Sequence, residues 1–339
     1  MSSPESVTKH LPVGPDFLCV GAQKAGTQWL YDQLQHHADF WMPPIKELHY
    51  FDGRPVKGRR AQVLYERASA DLPGTNRDRA AKLDRALAAR DLEFLAAFVR
   101  LSEAHRPALS ARVLLRVSAL ASRFAPVYSS VHREVVWPAL GVGRRPDFEG
   151  YARLFAAKGH ALSGDITPGY STLPTRTVRQ IVAAFPGLRV VFLARDPVER
   201  FWSAVSMHVR HGRAAWPGDA RALERLLGQV RHAHRSYQTR IVARWRRFVP
   251  HGQFGLFLFD DLLADAAHFR HRVLTFLGGD PRKPSGDLPA GFNRKERGSR
   301  RPLPPEFRET LGRLLADELR ESAREFGGAA RTWPARYGL

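Results

Sequence analysis

An α/β fold built on a parallel sheet is predicted by two observations. Three short apolar runs, at residues 17–20, 188–194 and 255–259, are each bounded by turn formers or charge, and helical patterns lie between them. Strands buried on both faces of a parallel sheet read as continuous apolar runs, and parallel neighbours need long crossovers, usually helical. The alternation therefore predicts a doubly wound, mostly parallel sheet flanked by helices.

The first run, Phe17-Leu18-Cys19-Val20, leads into Gly21 and a short turn ending at Gly26, after which Trp29 to Leu34 reads as a helix. Residues 175–185 predict a helix closed by Pro186-Gly187. Residues 223–248 predict one or two long amphipathic helices, and residues 266–277 another that stops before Gly278-Gly279. Residues 53–147 differ in character. Ala, Leu and Arg recur there at helical spacing, with breaks at Pro73-Gly74 and near Pro138 and Pro146, and no strand-like run stands out. They predict a helical insertion within a single domain spanning residues 1–339.

A chain of 339 residues with 44% hydrophobic content can bury a sizeable core, which excludes a disordered tail. Its one cysteine, Cys19, excludes an internal disulfide framework and a cysteine-based zinc site, and its place in an apolar strand marks it as core. Residues 1–10 are polar, and no apolar run reaches bilayer-spanning length. The expectation is a soluble, unprocessed, cytoplasmic protein without stable membrane insertion. Lys plus Arg number 53 against 33 Asp plus Glu, a net +20, which favours polyanions such as nucleic acid, acidic glycan or a multiply phosphorylated cofactor. The arginines are spread along the chain, so a compositional bias accounts for the charge equally well.

The run Gly21-Ala22-Gln23-Lys24-Ala25-Gly26-Thr27-Gln28 sits between strand and helix. Glycines let the backbone approach a polyanion, successive N–H groups face its oxygens, and the helix N-terminus adds positive potential. Gly21 and Gly26 have the Walker-type spacing, but Thr27 and Gln28 stand where Lys-Ser/Thr should follow, and the lysine, Lys24, lies inside the loop. A P-loop kinase or NTPase would need that missing pair to hold its phosphates and Mg²⁺. A second run, from Val190 to Ser203, is a strand that ends in Arg195-Asp196-Pro197 and opens a helix. Pro197 suits the first turn, Asp196 can cap it, and Arg195 projects where ligands bind in open α/β sheets.

These runs resemble the phosphate motifs of sulfotransferases that use 3′-phosphoadenosine 5′-phosphosulfate (PAPS), especially the branch with the heparan sulfate and many bacterial enzymes. The resemblance implies that Lys24, Ala25, Gly26, Thr27 and Gln28 cradle the 5′-phosphosulfate. It also implies that Arg195 and Ser203, eight residues later, hold the 3′-phosphate. Pro43-Pro44-Ile45-Lys46-Glu47-Leu48-His49-Tyr50-Phe51 resembles a Lys-Glu-x-His-Phe-Phe segment whose glutamate is the general base. Glu47 is then the base, with Lys24, Lys46 and His49 as catalytic partners. Alternation over an extended stretch would put Glu47 and His49 on one side, and Lys46 and Leu48 on the other.

Gly164-Asp165-Ile166-Thr167-Pro168 is similar to a family segment that carries a lysine at the position of Ile166; either another cation takes over its charge, with Lys46 or His49 closest to hand, or the acceptor differs enough that the charge is dispensable. The segments 235–245, 256–262 and Phe276-Leu277-Gly278 match in the same order. Asn293 to Pro302 resembles the Lys-Gly-Arg loop that closes over the nucleotide, with Arg297 in place of the lysine, and Gly298 and Arg300 beside it. The resemblance implies PAPS as co-substrate, 3′,5′-ADP as product, no metal, no nucleic-acid partner, and a hydroxyl or amine acceptor on a carbohydrate, lipid or small molecule.

Overall fold

The computed structural model describes residues 14–52, 55–56, 90–91, 93–94, 97–98, 101, 135–136, 146–210, 212, 214–229, 234–284, 288–291 and 302–339. The chain divides into two compact units. One draws on the described residues within 1–15, 43–160 and 183–186, the other on those within 16–42, 161–182 and 187–339.

The larger unit is built on β1 (Phe17–Gly21), which leads to α1 (Thr27–Gln35). The smaller unit carries β2 (Pro55–Val56), β3 (Val135–Val136) and α2 (Phe148–Arg153). The larger unit then continues with β4 (Gly164–Ile166), α3 (Thr175–Ala184, whose last two residues are counted with the smaller unit), β5 (Arg189–Ala194), α4 (Pro197–Arg210), α5 (Ala220–Gly228) and α6 (Gln238–Arg246). It closes with β6 (Phe254–Leu258), α7 (Phe259–Ala264), α8 (Ala266–Leu277), α9 (Pro305–Leu314) and α10 (Ala316–Phe326).

β4, β1, β5 and β6 form a parallel sheet in that order. Every side chain from Phe17 to Val20 and from Val190 to Ala194 is fully buried, as a sheet covered on both faces requires. The register pairs Phe17 with Gly164 and Arg189, and Ala194 with Leu258. Because the strands are parallel, the turns after β1, β5 and β6 emerge at one carboxyl edge. The sheet thereby gathers residues 22–26, Arg195-Asp196 and Phe259-Asp260 without any of them being close in sequence.

The predicted strands and the helix at 266–277 agree with the structure; within 223–248 the described residues include part of α5, a helical stretch at 234–236, and α6. β4 is an addition. At three residues, with Asp165 inside it, it lacks an apolar run; the carboxylate is accepted in the core because Thr167 Oγ1 (2.6 Å) and Tyr170 Oη (2.7 Å) donate to it.

In the smaller unit β2 and β3 pair antiparallel. Tyr50 and Phe51 pack on Tyr151 with ring centroids 5.0 and 4.5 Å away, and Phe185 lies 6.0 Å from Tyr151. Asp147 caps α2 by accepting from the Gly150 N–H at 2.8 Å. Most of the insertion expected at 53–147 lies outside the described residues. Among the described residues no helix is long and apolar enough to cross a membrane.

Candidate active site

At the carboxyl edge of the larger unit, β1 turns into α1 through a loop shaped by backbone rather than side chains. Gly26 is the N-cap residue at φ 92°, a left-handed conformation that L side chains adopt at a cost, and no side chain caps the helix. A Cβ on Gly26 would also press on Leu262 and Phe259 of α7, each at 3.2 Å. The helix N-terminus is thus left open to an anion. Lys24 is itself left-handed (φ 75°), and its ammonium reaches Met207 Sδ at 3.8 Å.

Arg195 follows β5 directly and is 6% exposed. The Gln238 side-chain amide grips its backbone: Oε1 accepts from the Arg195 N–H (3.0 Å) and Nε2 donates to its C=O (2.6 Å). The guanidinium donates to the Lys24 carbonyl (2.8 Å), lies 3.4 Å from Glu199 Oε2 and sits 4.7 Å from the Phe259 ring centroid. The structure therefore joins two of the expected residues, Lys24 and Arg195, by a direct hydrogen bond. Asp196 caps α4, accepting from Val198 N–H (3.0 Å) and Glu199 N–H (3.3 Å).

Ser203 lies two turns into α4, partly exposed. Thr27 is buried at the start of α1, and Ala25 is buried in the loop. The Gln28 amide turns along its own helix to Asp32 at 3.0 Å. Arg297, Gly298 and Arg300 lie outside the described residues. Behind Arg195, Arg200 is fully buried and donates to Ser236 Oγ at 2.8 Å. Burial, reinforced by the Arg195 charge, pushes it down to about 10, so it stays cationic at neutral pH.

The smaller unit holds the second group of expected residues, Lys46, Glu47 and His49. The extended alternation predicted for this segment is not found, because Glu47 (φ 62°) and His49 (φ 53°) are both left-handed. The segment bends instead, driven by the burial of Ile45, Leu48, Tyr50 and Phe51. Lys46 consequently reaches Glu47 rather than facing away from it, with Nζ 2.7 Å from Oε1. His49 Nε2 lies 3.5 Å from Glu47 Oε2, and its Nδ1 meets both oxygens of Asp52 at 3.0 and 2.9 Å. Burial favours a neutral imidazole, but the bonds and charges of Asp52 and Glu47 overcome it and raise His49 to about 9. For Glu47, burial works upward, and Lys46 and His49 outweigh it to hold the carboxyl at about 2.

Glu47 is the outward member, with its side chain 40% exposed against 13% for His49 and 7% for Asp52. At neutral pH Glu47 is therefore a carboxylate and His49 an imidazolium, with Lys46 and Asp52 in direct contact with them. Asp52 was not among the residues singled out from sequence, although its spacing three after His49 was a signal. Gln238 carried no signal, since its role depends on tertiary contact. Ile166 is buried in β4, so no charge stands at that position. Among the described residues no cluster of His, Cys, Asp or Glu is arranged to hold a metal ion.

A parallel sheet with an uncapped helix N-terminus, a loop lysine and a buried arginine at one edge is an α/β arrangement whose chemistry suits an anion. The chain belongs to the sulfotransferase family, whose model matches residues 15–281. A solved sulfotransferase from Alicyclobacillus acidocaldarius shares the fold. It is 18% identical, with a TM-score of 0.51, covering 94% of this chain and 98% of that one. A sulfotransferase domain from the curacin biosynthetic pathway is 14% identical (TM-score 0.42; 89% and 98% covered). One from the Synechococcus PCC 7002 olefin synthase is 16% identical (TM-score 0.41; 86% and 83% covered). The search of curated proteins found no match. Sulfuryl transfer from a donor to an acceptor is the activity of this family.

Proposed function

We propose that the protein takes its sulfuryl group from PAPS and passes it to a hydroxyl or amine of a carbohydrate, lipid or small-molecule acceptor, working as a cytoplasmic enzyme. The observation that carries this reading is the 2.8 Å hydrogen bond from Arg195 to the Lys24 carbonyl, which ties the two phosphate-binding segments into one preformed unit. The chemistry of the unit fits a donor with two anionic ends: backbone N–H groups and an ammonium at the loop, and a guanidinium one strand away. PAPS, when bound, supplies an activated sulfuryl group with a phosphate leaving group.

In this reading the loop N–H groups and Lys24 bind the 5′ end and offset charge that grows on the bridging oxygen. Arg195 and Ser203 hold the 3′-phosphate and fix the donor for in-line attack. Glu47 takes the acceptor proton at its exposed carboxylate. His49, cationic at neutral pH, orients Glu47 instead of competing for the proton, and with Lys46 supplies the positive charge that Ile166 does not.

Radiolabelled PAPS incubated with an acceptor panel tests the proposal. Label is expected in an acceptor. Turnover of ATP with Mg²⁺ and no transfer of label would contradict it.

A further inference from the structure

The segment after α10 lies beyond the residues that match the family model, yet it closes on the edge of the sheet that carries Arg195. Arg336 Nη1 stands 3.4 Å from Asp196 Oδ2 and its Nη2 2.5 Å from Asp260 Oδ1. One guanidinium thus bridges the aspartates that follow two neighbouring strands, β5 and β6. The Tyr337 hydroxyl lies 3.0 Å from both Asp196 oxygens, and the Trp333 indole N–H donates to Asp260 Oδ2 at 3.2 Å.

Each aspartate adjoins a residue of the donor edge. Asp196 follows Arg195, and Asp260 follows Phe259, whose ring faces the Arg195 guanidinium. Asp196 is 1% exposed, so its charge depends on these partners and on the N–H groups of α4. Burial pushes its carboxyl up to about 6, against the opposing pull of the α4 N–H groups, Tyr337 and Arg336. The segment is seated by packing as well: Tyr337 stands so close to Gly312 of α9 that a Cβ there would meet its own at 2.7 Å.

We infer that Arg336 and Tyr337 are positioning residues for the donor site, holding Arg195 and Phe259 in register by clamping the turn after β5 to the start of α7. A guanidinium must be aimed to meet a phosphate with two parallel bonds, and a turn free to tilt would aim it poorly. The functional consequence rests on Arg195 as the ligand of the 3′-phosphate.

The test uses the full chain with Arg336→Ala plus Tyr337→Phe, Arg336→Lys as the conservative variant, and Tyr337→Phe alone in case the double variant does not fold. Calorimetry with 3′,5′-ADP and 5′-AMP is expected to show about tenfold weaker 3′,5′-ADP binding in the double variant, with 5′-AMP changed less than about twofold. Arg336→Lys should recover most of the loss. Equal losses for both nucleotides, or none, would overturn the inference. The Arg195 side-chain Nε–H resonance, assigned through Arg195→Lys, reads the clamp without nucleotide. It should shift or broaden in the double variant and in Tyr337→Phe, and an unmoved resonance would sink the clamp. A wild-type protein that does not prefer 3′,5′-ADP while that resonance moves would instead contradict the donor reading and leave the clamp standing.

Discussion

The donor edge of the larger unit and the Lys46–Asp52 cluster of the smaller one solve opposite electrostatic problems. At the donor edge, Arg195 meets a carbonyl, an aromatic face and the Glu199 carboxylate, with cationic Arg200 behind it and Lys24 in the adjoining loop. Backbone hydrogen bonds fix the geometry, and in the proposed function an incoming anion would complete the charge balance. In the Lys46–Asp52 cluster the balance is internal: two cations and two carboxylates lie in contact. A site for a polyanion is built by shaping backbone around absent charge, whereas a site for a proton is built by compensating charge already there.

The largest effect expected from breaking this contrast is at Glu47. Glu47→Gln keeps shape and hydrogen bonding but accepts no proton, so turnover with a responsive acceptor should fall about 10²–10⁴-fold while 3′,5′-ADP binding barely changes. Near-normal turnover in Glu47→Gln, with loss in His49→Ala, would transfer the role of base to His49.

Next in size is Arg195→Ala, which removes a charge-assisted contact worth roughly 1.5–3 kcal/mol, about 10- to 150-fold in affinity. Calorimetry should show that loss for 3′,5′-ADP and much less for 5′-AMP. Parallel losses would reduce Arg195 to a structural support of the Lys24 loop.

A smaller, sharper effect concerns His49. Its folded value of about 9 lies above the ordinary 6.5, so the stability drawn from its pairing is present in full below about 6.5 and is lost as pH rises through about 9. An NMR titration of the ring should find the midpoint near 9, and Asp52→Asn should lower it by about 1 unit or more. A midpoint unmoved by Asp52→Asn would mean that Glu47 alone holds the proton. Smallest is Gly26→Ala, where the left-handed backbone should cost about 1–2 kcal/mol in denaturant unfolding. A neutral substitution there would show that the loop relaxes easily and is not preformed.

The central strands were legible because burial on both faces writes an unbroken apolar run, and the turn between β1 and α1 because Gly26 stands where the backbone is left-handed. β4 was not legible, since three residues containing an aspartate carry no such pattern; Asp165 is tolerated only through Thr167 and Tyr170. Lys46, Glu47 and His49 were singled out by resemblance to a family segment, but their conformation was misread as extended. The bend at Glu47 and His49 follows from burial of the apolar residues between and beside them, a tertiary demand that overrides local alternation. Gln238, Arg336 and Tyr337 act through partners roughly 40 to 140 positions away in the chain, a distance at which no spacing rule operates.

Titration of the wild-type protein with 3′,5′-ADP in the presence of EDTA tests the central claim most directly, because it probes the donor edge without knowledge of the acceptor. The account predicts binding that survives chelation and clearly exceeds that of 5′-AMP, since Arg195, Lys24 and the N-terminus of α1 supply the positive potential and Ser203 a hydrogen bond. Binding abolished by EDTA, or equal affinity for the two nucleotides, would contradict it.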